Sequence, residues 1–205
     1  MTNFFDNWKD KTGDGHKRYD WSPNFKVAPE DYSLATTDLN SLPPKILETY
    51  TRFYRIGWVH EYGNQCILMS NMLRRVLRLH GVEAHCKQVT LLYEKPEKNW
   101  YAEIGQYNSW VEQGTIDTHM VVVADGFICD FAMLSSVHYT FGAMAPIACI
   151  VKHNPEWYGE PYDTGFFGKF TYTPRTPHRL TKHWIYENRD REKALVKDYF
   201  EYFRM

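Results

Sequence analysis

No apolar run in this 205-residue chain approaches the roughly 18 residues that a membrane-spanning helix needs. The N-terminal MTNFFDNWKDKTGDGHKRYDW is polar and lacks the apolar segment of a secretory signal, so a soluble protein made in the cytoplasm, with no membrane partner, is expected. Neither sign of charge dominates. Lys and Arg number 24 against 25 Asp and Glu, and a net charge of −1 gives no general attraction for nucleic acid. Cysteine is scarce: Cys66, Cys86, Cys129 and Cys149 show no paired metal-ligand spacing, so free thiols and no metal site are expected. There is no internal repeat and no low-complexity tract.

Aromatic residues, by contrast, are plentiful at 17% of the chain, and the length suits one domain with a sizeable core. Residues 1–43, rich in Asp, Asn, Ser, Thr and Pro, read as an irregular arm, and residues 44–205 as a single domain. Within 44–58 the apolar positions Ile46, Leu47, Tyr50, Phe53 and Tyr54 mark one face of a helix. A second helix is expected from Asn64 as N-cap through Cys66, Met69, Leu73, Val76 and Leu77 to the terminating Gly81. Cys66 falls in its first turn. Strands follow at VEAHCKQVTLLYE, at HMVVVADGFICDF as a hairpin about Asp125-Gly126, and at IACIVK. The segment NWYAEIGQYNSWVEQG has no clear period, HNPEWYGEPYDTGFFGKFTYTPRTPH is expected to be mostly loop with one extended segment, and the last 25 residues form a terminal helix with Ala194, Leu195, Tyr199 and Phe203 on its buried face. The fold class is therefore α+β.

In THMVVVADGFICDFA the apolar character is interrupted by His119 and Asp130. A two-residue turn at Asp125-Gly126 sets Ala124 opposite Phe127, Val121 opposite Asp130 and His119 opposite Ala132, so His119 and Asp130 are diagonal neighbours on one face. A buried carboxylate without a partner costs several kcal/mol, and the nearest donor is the imidazole. The second ring nitrogen is left for a third group. Cys66 is the natural one, because the unpaired N–H groups and dipole of a helix start favour a thiolate there. Sulfur, imidazole and carboxylate in that order form a nucleophile, a base and the group that orients the base.

A helix beginning with cysteine, a strand of the type GVEAHCKQV, a His-bearing strand and an Asp-bearing strand together resemble the core of the transglutaminase-like superfamily, which belongs with the papain-like cysteine enzymes. Gly81-Val82-Glu83-Ala84 matches the segment after the helix, with His85 where that group commonly has Arg; Asp130 is followed by Phe131 and Ala132 where Pro and Thr are common. The resemblance spans residues 60–135. It implies a nucleophile-bearing helix packed on an antiparallel sheet, with Cys66 as nucleophile, His119 as general base and acid, and Asp130 as orienter. The implied activity is acyl transfer from an amide or ester through a thioester, to water as in a peptidase or amidase or to an amine as in a transglutaminase. The implied partners are a peptide, a protein or a small amide, and no cofactor is needed. For the oxyanion or substrate contact, beside the backbone N–H of Cys66, the candidates are Gln65, Trp58 and His60.

Two other readings stand beside this one: a non-catalytic peptide- or protein-binding domain on the same fold, and a toxin or effector using the same triad. A zinc site through Cys66 and His119 lacks a short ligand pair. Arg74, Arg75 and Arg78 read as the solvated face of the second helix, open to a phosphate or carboxylate. The late aromatic segment reads either as a substrate groove or as a cover for the sheet edge.

Overall fold

A computed structural model describes residues 34–63, 65–106, 118–133, 137–142, 145–157 and 159–204. The described residues form eight strands and six helices, in chain order β1 Leu34–Thr36, α1 Pro44–Arg55, α2 Trp58–Glu61, α3 Cys66–Leu79, β2 Ala84–Lys95, β3 Trp100–Ile104, β4 His119–Ala124, β5 Phe127–Asp130, α4 Tyr139–Phe141, β6 Ala148–Lys152, β7 Pro161–Asp163, β8 Lys169–Pro174, α5 Arg179–Glu187 and α6 Arg189–Tyr202. The strands form one sheet in the order β1-β6-β5-β4-β2-β8-β7, with β3 also paired to β2. Only β1 and β6 run parallel; the other pairs are antiparallel. The α+β class expected from the sequence holds. Among the described residues no helix is long and apolar enough to cross a membrane.

The sheet is filled on both faces. Even-numbered residues of β2 and β4, such as Ala84, Val122 and Ala124, join Phe53, Met69, Met72, Val76 and Tyr199 in a cluster under the helices. The odd-numbered residues Val89, Leu91, Tyr93, Val121 and Val123 join Phe170 and Tyr172 on the other side. Period-two alternation in β2 and β4 thus feeds two cores rather than one core and solvent. β2 pairs β4 along its first half, β3 along its second, and β8 on the opposite edge. Tyr172 of β8 nonetheless reaches Asp130 of β5, across two intervening strands, because the sheet curls.

Helix α3 lies over this sheet and is buried continuously from Ile67 to Leu73. Its polar groups are answered locally: Ser70 Oγ donates to Met120 O at 2.6 Å and Asn71 Nδ2 to Ile67 O at 2.8 Å. The helix ends as expected at Gly81, with Gly81 N bonded to Arg78 O at 3.0 Å and Val82 N to Leu77 O at 2.9 Å. Asn64, the expected N-cap, lies outside the described residues, and Gln65 occupies the cap position without a side-chain cap bond.

Several expectations are corrected. Part of the segment 1–43 is not irregular: Leu34-Ala35-Thr36 is a buried strand that extends the sheet beyond β6, while residues 1–33 lie outside the described residues. The late segment 153–178 carries two short strands, the β7–β8 hairpin, where one extended segment is expected, and Tyr162, Phe167, Phe170 and Tyr172 fill the second core. The terminal helix is two helices. Asn188 breaks it, spending both its backbone N–H and its side-chain amide on Trp184 O at 3.0 Å. In α6 the buried positions are Glu192, Val196 and Tyr199, whereas Ala194 is exposed. Residues 107–117 of the segment without a clear period lie outside the described residues; its first part is β3.

Candidate functional site

The hairpin register is the one the turn requires. Asp125 and Gly126 both have positive φ, 49° and 76°, the type I′ geometry that matches strand twist, and Ala124 faces Phe127 while Val122 faces Cys129. His119 and Asp130 therefore share the second face. His119 Nε2 lies 2.6 Å from Asp130 Oδ2, with the two side chains 2% and 0% exposed. The carboxylate is further held by Ala132 N at 3.2 Å on Oδ1 and by the Tyr172 hydroxyl at 3.3 Å on Oδ2. Three donors from three segments fix its orientation, which answers the solvation it loses on burial.

Cys66 reaches this pair from the other side of the sheet. It opens α3 beside the start of β4, where its Sγ donates to the carbonyl of Thr118, the residue before His119, at 3.2 Å, and the sulfur favours the charged form of the His119 ring. With Nε2 engaged by Asp130, Nδ1 is the nitrogen left for the sulfur. Burial opposes a charge on the His119 ring, but the adjacent Asp130 carboxylate and the bonds to Asp130 and Cys66 outweigh it, and the ring's pKa is raised to about 10. Burial pushes the other thiols up, Cys86 to about 12 and Cys129 and Cys149 likewise upward, so those three remain neutral core residues. Sulfur, imidazole and carboxylate in series make a line in which the proton rests on the ring, held there by the carboxylate, beside the sulfur.

The three candidates for the oxyanion or substrate contact are not equally placed. Gln65 directly precedes Cys66; its carbonyl accepts from Met69 N at 2.9 Å and its half-buried side chain makes no cap bond. Trp58 is absorbed by the core, its ring 5.1 Å from Phe53, 6.0 Å from Tyr62 and 5.8 Å from Tyr199. His60 packs on Tyr54 at 5.5 Å, and burial, then the charge of His138, lowers its pKa. Among the described residues no group of three His, Cys, Asp or Glu side chains is arranged to hold a metal.

Four neighbours of the triad escaped the sequence reading. Thr118 supplies the carbonyl that receives the thiol. Gln88, buried in β2, donates through Nε2 to Thr118 Oγ1. Gly105 passes against the backbone of His119, and Tyr172 braces Asp130. Gln88 gave no signal of the kind His119 and Asp130 gave, because β2 also carries His85, Lys87, Thr90, Glu94 and Lys95; Gly105 and Tyr172 gave none either, because their contacts with His119 and Asp130 join residues far apart in the chain.

No family model and no curated protein matches the chain. A solved structure described as that of a genomics target is similar at 16% identity over 78% of this chain and 79% of its own, with a TM-score of 0.41.

Proposed function

We propose that this protein is a cysteine-dependent acyl-transfer enzyme built on a papain-like or transglutaminase-like core. The observation that supports it most is the buried His119 ring, bonded to Asp130 through Nε2, with the Cys66 thiol on the carbonyl of the preceding residue, Thr118. In the reaction the proton of the Cys66–His119 pair lies on the ring, and the sulfur attacks an amide or ester carbonyl. The imidazolium then returns the proton to the leaving amine or alcohol, and the acyl group remains on sulfur as a thioester. Water or an amine, deprotonated by His119, releases it. The backbone N–H of Cys66 at the start of α3 is the donor nearest the developing oxyanion. Asp130 touches neither substrate nor sulfur; it positions the ring and stabilises its charged form.

Acetylation by p-nitrophenyl acetate tests this reading. A p-nitrophenolate burst should accompany an acetyl group on the Cys66 peptide, and both should vanish in Cys66→Ala and His119→Ala. Unchanged burst and labelling in Cys66→Ala, or acetyl on another cysteine, would overturn the nucleophile assignment.

A further inference from the structure

Residues 173–182, TPRTPHRLTK, carry Arg175, Arg179 and Lys182 and no acidic side chain. The start of α5 and the chain leading into it are tied across β2 by Gln88. Arg175 N donates to Gln88 O at 2.8 Å, His178 N donates to Gln88 Oε1 at 3.2 Å, and Gln88 Nε2 lies 3.4 Å from Thr181 Oγ1. The same Nε2 donates to Thr118 Oγ1, and Thr118 O receives the Cys66 thiol at 3.2 Å. One buried glutamine therefore joins the basic stretch to the residue beside the sulfur.

Within this stretch Arg175 is the anchored cation. Its Nε donates to Thr90 Oγ1 at 2.7 Å, while the residue as a whole is exposed and its guanidinium forms no ion pair among the described residues. Arg175 bonds Gln88 from the β8 side of β2, and Gln88 pairs with Met120 and reaches Thr118 on the β4 side. Neighbouring strands stand about 5 Å apart, so Arg175 and Thr118, whose carbonyl receives the Cys66 thiol, lie roughly 10 Å apart across β2. That is the span of a short acyl chain. An arginine fixed at Nε keeps its two terminal nitrogens as a fork suited to a carboxylate.

We propose, resting on the acyl-transfer reading above, that Arg175 is a specificity residue selecting acyl donors that carry a carboxylate a few bonds from the reacting carbonyl. The carboxylate docks on the free edge of the guanidinium, and the carbonyl then meets Cys66 at the start of α3. Arg179 and Lys182 add to the local positive field without touching the donor.

Alkylation of Cys66 in the full chain by iodoacetate and by iodoacetamide tests this. The reagents are close in size and differ in the carboxylate; in each case the sulfur displaces iodide and a thioether forms. The rate at the Cys66 peptide is followed by mass spectrometry. Arg175→Gln should lower the iodoacetate-to-iodoacetamide rate ratio at least threefold with the iodoacetamide rate held within twofold, and Arg179→Gln should leave the ratio within twofold of wild type. A reactive Cys66 whose ratio is unchanged by Arg175→Gln, or falls equally in Arg179→Gln, would overturn the assignment of Arg175 and leave the nucleophile intact. A Cys66 inert to both reagents at neutral pH would remove the nucleophile reading, and this proposal with it.

Discussion

Gly105 lies so tightly against His119 that a β-carbon on it would stand 2.8 Å from the His119 nitrogen, 3.0 Å from its Cβ and 2.7 Å from Val89 O. Two of those three neighbours are backbone, so none can swing aside. Its φ of +80° adds a conformation that side-chain-bearing residues rarely adopt. The junction between the end of β3 and the start of β4 can close on β2 only through a residue without a side chain, and the imidazole sits on that junction.

Gly105→Ala should therefore injure activity and stability together. We expect a loss of about 1–3 kcal/mol in urea unfolding, from strain and forced displacement. On the proposed mechanism we expect kcat to fall more than tenfold, because a shift of about 1 Å in the ring that serves the sulfur costs on that scale. Gly126→Ala is the comparison. Its φ is also positive, at 76°, but nothing lies within 4 Å of the added atom. It should lose stability to backbone strain and keep kcat; equal kcat losses in the two variants would show that Gly105 has no special relation to His119.

Tyr172→Phe removes one of the donors to Asp130 and little else of the ring's packing. The hydroxyl is 3.3 Å from Oδ2 in a fully buried setting. Losing one such bond costs about 0.5–1.5 kcal/mol, which in a group acting through His119 amounts to roughly a threefold to tenfold drop in kcat. A role in packing alone would lower stability with kcat and the pH-rate profile unmoved. A positioning role should move the profile, since Asp130 would hold the imidazolium less firmly, and this is the outcome expected.

Much of this arrangement was legible in the chain itself. His119 and Asp130 stood out because polar residues in an apolar hairpin need partners, and the Asp125-Gly126 turn fixed their parity. Cys66 stood out as the cysteine at a helix start rather than inside a strand. The rest depends on contacts that no local pattern encodes. Arg74, Arg75 and Arg78 read as a solvated face, yet Arg75 Nε bonds Glu192 at 2.7 Å and Arg78 Nε bonds Ala84 O at 2.7 Å. Trp58 was a candidate for the substrate side because it precedes Cys66 closely, but packing against Phe53 and Tyr199 turns it into the core. In α6, Val196 takes the buried position assigned to Ala194, because the break at Asn188 resets the phase of the helix.

The His119–Asp130 pair should also set how stability varies with pH. Opposed by burial but raised by Asp130, the folded ring keeps its proton up to about 10, against 6.5 for an ordinary histidine. The folded state thus binds that proton more tightly than the unfolded state does. Its contribution is complete below about 6.5 and drains away as pH rises toward 10. Urea unfolding across that window should show wild type losing stability with rising pH, on the order of a few kcal/mol. Asp130→Asn, without the charge that raises the ring, should give a flatter curve over the same window and a lower plateau at its acidic end. Parallel curves would mean that other groups carry the pH dependence.

Glu192 ties α6 to α3, the helix that Cys66 opens. Its carboxylate is almost fully buried, 2.7 Å from Arg75 Nε and 3.8 Å from an Arg74 terminal nitrogen, with each arginine about a third exposed. Because the acid is buried and its partners are half in water, the cost of losing it falls on the packing and on the bonds rather than on stranded charge. Glu192→Ala should therefore cost about 1–3 kcal/mol, whereas Glu201→Ala, whose exposed pair with Lys197 spans 3.5 Å, should cost less than about 0.5 kcal/mol. Added salt separates the two further. The exposed pair is screened at about 1 M, where the Debye length falls near 3 Å, while the buried carboxylate is shielded from the ions. A Glu192→Ala penalty that disappears in high salt would show that α6 is held to α3 by surface electrostatics, with Val196 and Tyr199 alone supplying the buried contact.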